Sequence, residues 1–100
     1  MSTAYWVAHV DVKDAEAYSA YVRANAAAFA KYGARFIIRG GTQTQVEGKS
    51  RARTVVIEFP DRISAEACYH SPEYQAAKAL REPVSLADLV IVDGYAPEGS

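Results

Sequence analysis

The sequence predicts one α+β domain built in the order β-α-β-β-α-β. Three observations carry that prediction. Residues 4–12, 34–39, 54–59 and 88–94 are rich in β-branched and aromatic types and read as strands. Apolar residues at helical spacing fill the interval between the first and second strands and that between the third and fourth. Glycine, proline and short capping residues stand at the joints.

The first strand is AYWVAHVDV. Asp14 follows as a helix N-cap, with Glu16 placing negative charge in the first turn. Tyr18, Tyr21, Val22, Asn25, Phe29 and Tyr32 then recur on one helical stripe, and Gly33 closes the helix as its C′ residue. The second strand, ARFIIR, runs into Gly40-Gly41, which suggests a bulge or sharp bend there. Residues 42–47 extend it toward a turn at Gly48. The third strand, TVVIEF, stops at Pro60. Ser64 caps a short helix over 65–70, and Ser71-Pro72 restarts a second piece that ends at Arg81, before Glu82-Pro83. The last strand is DLVIVDG. The domain spans 1–96, with a loose tail at 97–100. Two βαβ units interleaved in this order give a four-stranded antiparallel sheet with the helices on one face, the ferredoxin-like topology.

Composition narrows the functional classes. One hundred residues, half of them hydrophobic, can close a single core without metal or disulfide staples. A net charge of −1 argues against a nucleic-acid partner. The strand TVVIEF also lacks the glycine-aromatic-basic signature of RNA recognition motifs, which share this topology. The basic run Lys49-Ser50-Arg51-Ala52-Arg53 reads as a solvated hairpin tip. Cys68 stands alone, so a disulfide framework or cysteine metal site is not expected. Without a leader or a stretch of membrane-spanning length, the expected compartment is the cytoplasm, with no membrane partner.

Alternation sorts the strand residues into two faces. Trp6, Ala8, Val10, Val12, Phe36, Ile38, Val55, Ile57, Phe59, Val90 and Val92 make an apolar set that suits the helices. Tyr5, Val7, His9, Asp11, Ile37, Arg39, Thr54, Val56, Glu58, Leu89, Ile91 and Asp93 make the other. Its band of Val7, Ile37, Val56 and Ile91 is unusual for a surface that meets only water. Two copies stacked face to face would cover it, so the expected partner is the chain itself, as a homodimer.

On that second face His9 and Glu58 are the candidate catalytic pair, since imidazole and carboxylate exchange protons near neutral pH. Arg39 is the candidate ligand contact, a forked donor for a carboxylate or enolate oxygen. The blander alternative is an Arg39–Glu58 ion pair across strands. Tyr74 and Asn25 are further ligand-binding candidates: the Tyr74 hydroxyl could reach a pocket, and Asn25 interrupts an apolar stripe. If the two faces were exchanged, Asn25 would join a pocket under the helices. His9 and His70 show no ligand spacing, so no metal and no cofactor are expected, although haem or metal on His9 stays as a weaker option. The leading reading is a homodimer binding or transforming a small carbonyl or carboxylate compound. Its rival is a structural or interaction module.

The blocks AYWVAHVDV, ARFIIRGG, RTVVIEFP, SPEYQAAKALR and DLVIVDG resemble domain of unknown function 1330 over nearly the whole chain. The resemblance implies a ferredoxin-like domain of the dimeric α+β-barrel superfamily, in which two sheets meet to form a barrel. Relatives there include cofactor-independent monooxygenases, lactone isomerases and haem-dependent enzymes, so kinship at the level of fold does not choose an activity.

Overall fold

A computed structural model describes residues 3–95. The elements are β1 (Ala4–Val12), α1 (Ala15–Lys31), β2 (Arg35–Arg39), β3 (Arg53–Phe59), α2 (Arg62–His70), α3 (Pro72–Arg81) and β4 (Ser85–Asp93), with a single 3₁₀ turn at Glu82–Val84. The strands form one antiparallel sheet in the order β2-β3-β1-β4. The helices cover one of its faces, which is the ferredoxin-like arrangement expected.

The helix ends follow local chemistry. The Asp14 carboxylate accepts the Ala17 N–H at 3.1 Å. At the other end Gly33 takes φ +72°, and the Ala34 N–H reaches back to the Phe29 carbonyl at 3.0 Å, a Schellman closure. The cap of α2 is Asp61 rather than Ser64: its carboxylate accepts the Ser64 N–H at 2.7 Å, so Ser64 lies inside the first turn. Ser71 serves two helices, donating to the Cys68 carbonyl at 2.7 Å and accepting the Tyr74 N–H at 3.1 Å.

Trp6 is the hub of the core. Its ring meets Phe29, Phe59, Tyr69 and Tyr74 at centroid distances of 5.3, 5.2, 5.8 and 4.9 Å. Its indole N–H donates to the Ala65 carbonyl at 2.9 Å, which ties β1 to α2. Burying an aromatic of this size contributes about 3–5 kcal/mol relative to alanine. Cys68 is fully buried beside it, and burial pushes its thiol up to about 12, which removes it as a nucleophile.

The sorting of faces holds for β1 and β3 and fails for β4 and the end of β2. In β4, Ile91 pairs with Trp6 and Leu89 with Ala8, so these two turn toward the helices. Val90 and Val92 are instead on the open face, 58% and 45% exposed. An unbroken apolar run has no alternation to read, and only pairing with β1 decides its parity. In β2 the ladder to β3 shifts between Phe36 and Ile38: Phe36 pairs with Ile57, but Ile38 pairs with Val56 and Arg39 with Val55. This bulge precedes the Gly40-Gly41 pair, and it turns Ile38 outward and Arg39 inward. Residues 42–47 are an exposed irregular loop rather than a strand. The tail at 97–100 lies outside the described residues.

Candidate binding cavity under the helices

The sheet register separates the predicted site residues. His9 and Glu58 are on the open face, but His9 pairs with Thr54 and Glu58 with Tyr5. Four residues of strand put roughly 13 Å between them. Glu58 accepts from the Tyr5 hydroxyl at 2.9 Å and pairs with Arg35 at 3.0 Å, so the cross-strand ion pair belongs to Arg35, not Arg39. The His9–Arg39–Glu58 constellation is therefore not assembled.

His9 sits in a short relay. Gln43 donates its amide nitrogen to the Arg51 carbonyl at 3.1 Å, which leaves its oxygen to accept the Thr54 hydroxyl at 2.7 Å. Thr54 has only that hydrogen, so the 3.1 Å contact to His9 Nδ1 requires Nδ1–H to donate. In the neutral ring the lone pair is then on Nε2.

Arg39, Asn25 and Tyr74, by contrast, come to the same space. They line one cavity between α1, α3 and the inner face of the sheet, floored by Trp6, Ala8 and Val10. The cavity volume is about 30 Å³, and the surrounding empty space, open solvent included, is about 520 Å³. Asn25 is on the α1 stripe at 5% exposure, and Tyr74 is fully buried. The Tyr74 hydroxyl lies 2.9 Å from that of Tyr21 and accepts from Arg81 Nε at 3.4 Å. Burial and the neighbouring Tyr74 push the Tyr21 phenol well above its ordinary value, with Arg81 and Asn25 opposing, so Tyr21 is a hydrogen donor at neutral pH.

Sequence reasoning missed two residues here. Arg81 stands at the predicted end of the second helix piece, yet it is seven residues after Tyr74 and four after Ala77, on the same buried stripe, and is 8% exposed. Arg53 reads as part of a solvated tip, yet it is two residues before Val55 on the inward face of β3 and lines the cavity. The other arginine of that run is also held: Arg51 bridges Asp11 at 2.8 Å and Asp88 at 2.9 Å. A signal was available in the parity of β3 and the period of α3.

Among the described residues no carboxylate, histidine or lysine lines the cavity. No group of three His, Cys, Asp or Glu side chains suited to a metal ion is present among them either. No helix there is long and apolar enough to cross a membrane. His70, at the end of α2, is exposed.

Solved structures share this fold. RPA0582, a protein of unknown function from Rhodopseudomonas palustris, is 18% identical with a TM-score of 0.77, over 96% of this chain and 85% of that one. SnoaB, a cofactor-independent oxygenase from Streptomyces nogalater, is 14% identical with a TM-score of 0.67 over 100% of both chains. A candidate antibiotic biosynthesis monooxygenase from Caulobacter crescentus is 15% identical with a TM-score of 0.67, over 95% of this chain and 92% of that one. At such identities the likeness is one of fold. Among curated proteins, none matches. The family model of the domain of unknown function DUF1330 matches residues 3–95.

Proposed function

The chain belongs to the DUF1330 family, and from that premise we propose that it is a homodimer that binds a small carbonyl or carboxylate compound in the cavity under its helices. The observation that carries this reading is the convergence of Arg39, Asn25 and Tyr74, from three separate elements, on one concave space. Asn25 and Tyr74 are buried and Arg39 is exposed at the mouth, and a concave, mostly apolar space with a few convergent polar groups is the usual form of a ligand site. The phenols and guanidinium groups could hold a carbonyl or enolate oxygen, and among the described residues no side chain lining the cavity is a ready proton acceptor at neutral pH. The reading is therefore one of binding and anion stabilisation rather than of base catalysis within this cavity.

Native mass spectrometry of the freshly purified protein tests it. A dimer carrying an extra mass that is lost on denaturation, and lost also in an Asn25→Leu, Arg39→Leu double variant, is the expected result. A bare dimer that also leaves Trp6 fluorescence unchanged across a metabolite panel would overturn the ligand half of the proposal.

One observation favours a second reading. Val7, Ile38, Val56, Val90 and Val92 make an apolar band on the open face, which suits an interaction module whose function is the pairing itself. In that case the dimer forms and the cavity takes nothing.

A further inference from the structure

We infer that the ligand of this cavity is an organic anion, a carboxylate or enolate with an apolar body, whose negative charge completes the unpaired guanidinium groups of Arg81 and Arg53. The inference rests on the binding reading above and adds the charge of what is bound. It starts from how arginines are partnered across the molecule. Arg35, Arg51 and Arg62 each hold a carboxylate at the surface. Among the described residues Arg39, Arg53 and Arg81 hold none and line the cavity, while Arg23, also without a carboxylate, is a solvated residue of α1 bonded to Ser19.

Surface arginines need no partner, because water solvates them. Arg81 is 8% exposed, its guanidinium held by neutral phenols: Nε donates to Tyr74 at a long 3.4 Å, and Cζ lies 5.6 Å from the Tyr21 ring. Arg53 Nε is buried with no hydrogen-bond partner. A guanidinium is protonated at any ordinary pH, so neither buried Arg81 nor half-buried Arg53 can shed its charge. Burying an uncompensated charge is costly, and the cost is relieved by an anion that accepts from the forked donors.

The backbone is shaped to keep Arg53 in place. Gly40 has φ +71°, and a Cβ there would fall on Arg53 Nη1 and lie 2.7 Å from its Cζ. The Gly40 N–H is bound to the Thr54 carbonyl at 2.9 Å, which fixes the bare glycine against the guanidinium. The body of the ligand would meet Trp6, Phe29 and Tyr18, which supply aromatic faces and no further charge.

Trp6 is the single tryptophan and lines the cavity, so its fluorescence reports occupancy. The test titrates the intact protein with two matched pairs, benzoate against benzamide and cyclohexanecarboxylate against cyclohexanecarboxamide. Each carboxylate is expected to bind at least about tenfold more tightly than its amide, the smallest ratio expected from one charge-assisted pair. Arg53→Gln is expected to shrink that ratio by losing more carboxylate than amide affinity, and Arg81→Gln to do the same. Arg53 stands at a strand start, so its variant keeps the proposal testable if Arg81→Gln fails to fold. Carboxylates and amides binding equally would overturn the anion inference and leave the cavity reading standing. No response of Trp6 to any of the four compounds, with the fold intact by circular dichroism, would overturn both.

Discussion

Single residues on the rim of the cavity carry much of its definition. Gly40 occupies the left-handed region that costs an L-residue about 1–2 kcal/mol, and its missing side chain is where the Arg53 guanidinium lies. Gly41, the next residue, has open space around it and no positive φ. Gly40→Ala is therefore expected to lower stability in urea denaturation by about 1–2 kcal/mol and to weaken carboxylate binding. Gly41→Ala is expected to be neutral or to stabilise by up to about 1 kcal/mol through the unfolded chain. Equal effects of the two would show that the close approach of Arg53 to Gly40 is not maintained in solution.

At the scale of elements, the loop from Gly40 to Ala52 is tied down mainly by β1. Asp11 accepts the Ala52 N–H at 3.1 Å and pairs with Arg51, which also reaches Asp88 on β4. The Ala52 N–H, helped by Arg51, holds the Asp11 carboxyl below its ordinary value of 3.8. A carboxyl lowered in the folded state contributes stability above its unfolded value, and the contribution is lost as pH falls through the folded one. Asp11→Asn is thus expected to be less stable than the parent at neutral pH. The gap should close at pH values well below 3.8. Parallel denaturant titrations at the two pH values measure it, and a pH-independent gap would count against the tether. The elements themselves were largely legible: caps at Asp14 and Ser71 and closure at Gly33 act within four residues of where they stand. The inward turn of Arg39 was not, because a one-residue bulge leaves no mark in the composition of RFIIR.

For the whole molecule, one sheet face is covered by three helices and the other carries an apolar band with charged ends. The pairing proposed above places that band between two copies, which is how a single layered sheet gains a second cover. Val90 is at the centre of β4 and faces outward. Val90→Lys is expected to convert the dimer to monomer in analytical ultracentrifugation, since two buried lysines would face each other or near neighbours across the two-fold. A surviving dimer would move the interface elsewhere. The helix side, and with it the cavity, is built within one chain, so the monomeric variant should still bind the carboxylate probes.

Sequence by itself determined the order of elements, the helix boundaries to within a few residues, the ferredoxin-like topology and the membership of Trp6, Tyr18, Tyr21 and Phe29 in one core. Each of these follows from local periodicity and capping, which act over a few residues. Tertiary structure decided which way the polar residues turned. The parity of LVIV in β4 and of Arg39 beyond the bulge exists only in the hydrogen-bonded ladders to β1 and β3. Because a slip of one residue exchanges the two faces of a strand, those ladders alone carried Arg39 away from His9 and Glu58. They carried it into a cavity with Arg53, Arg81, Asn25 and Tyr74.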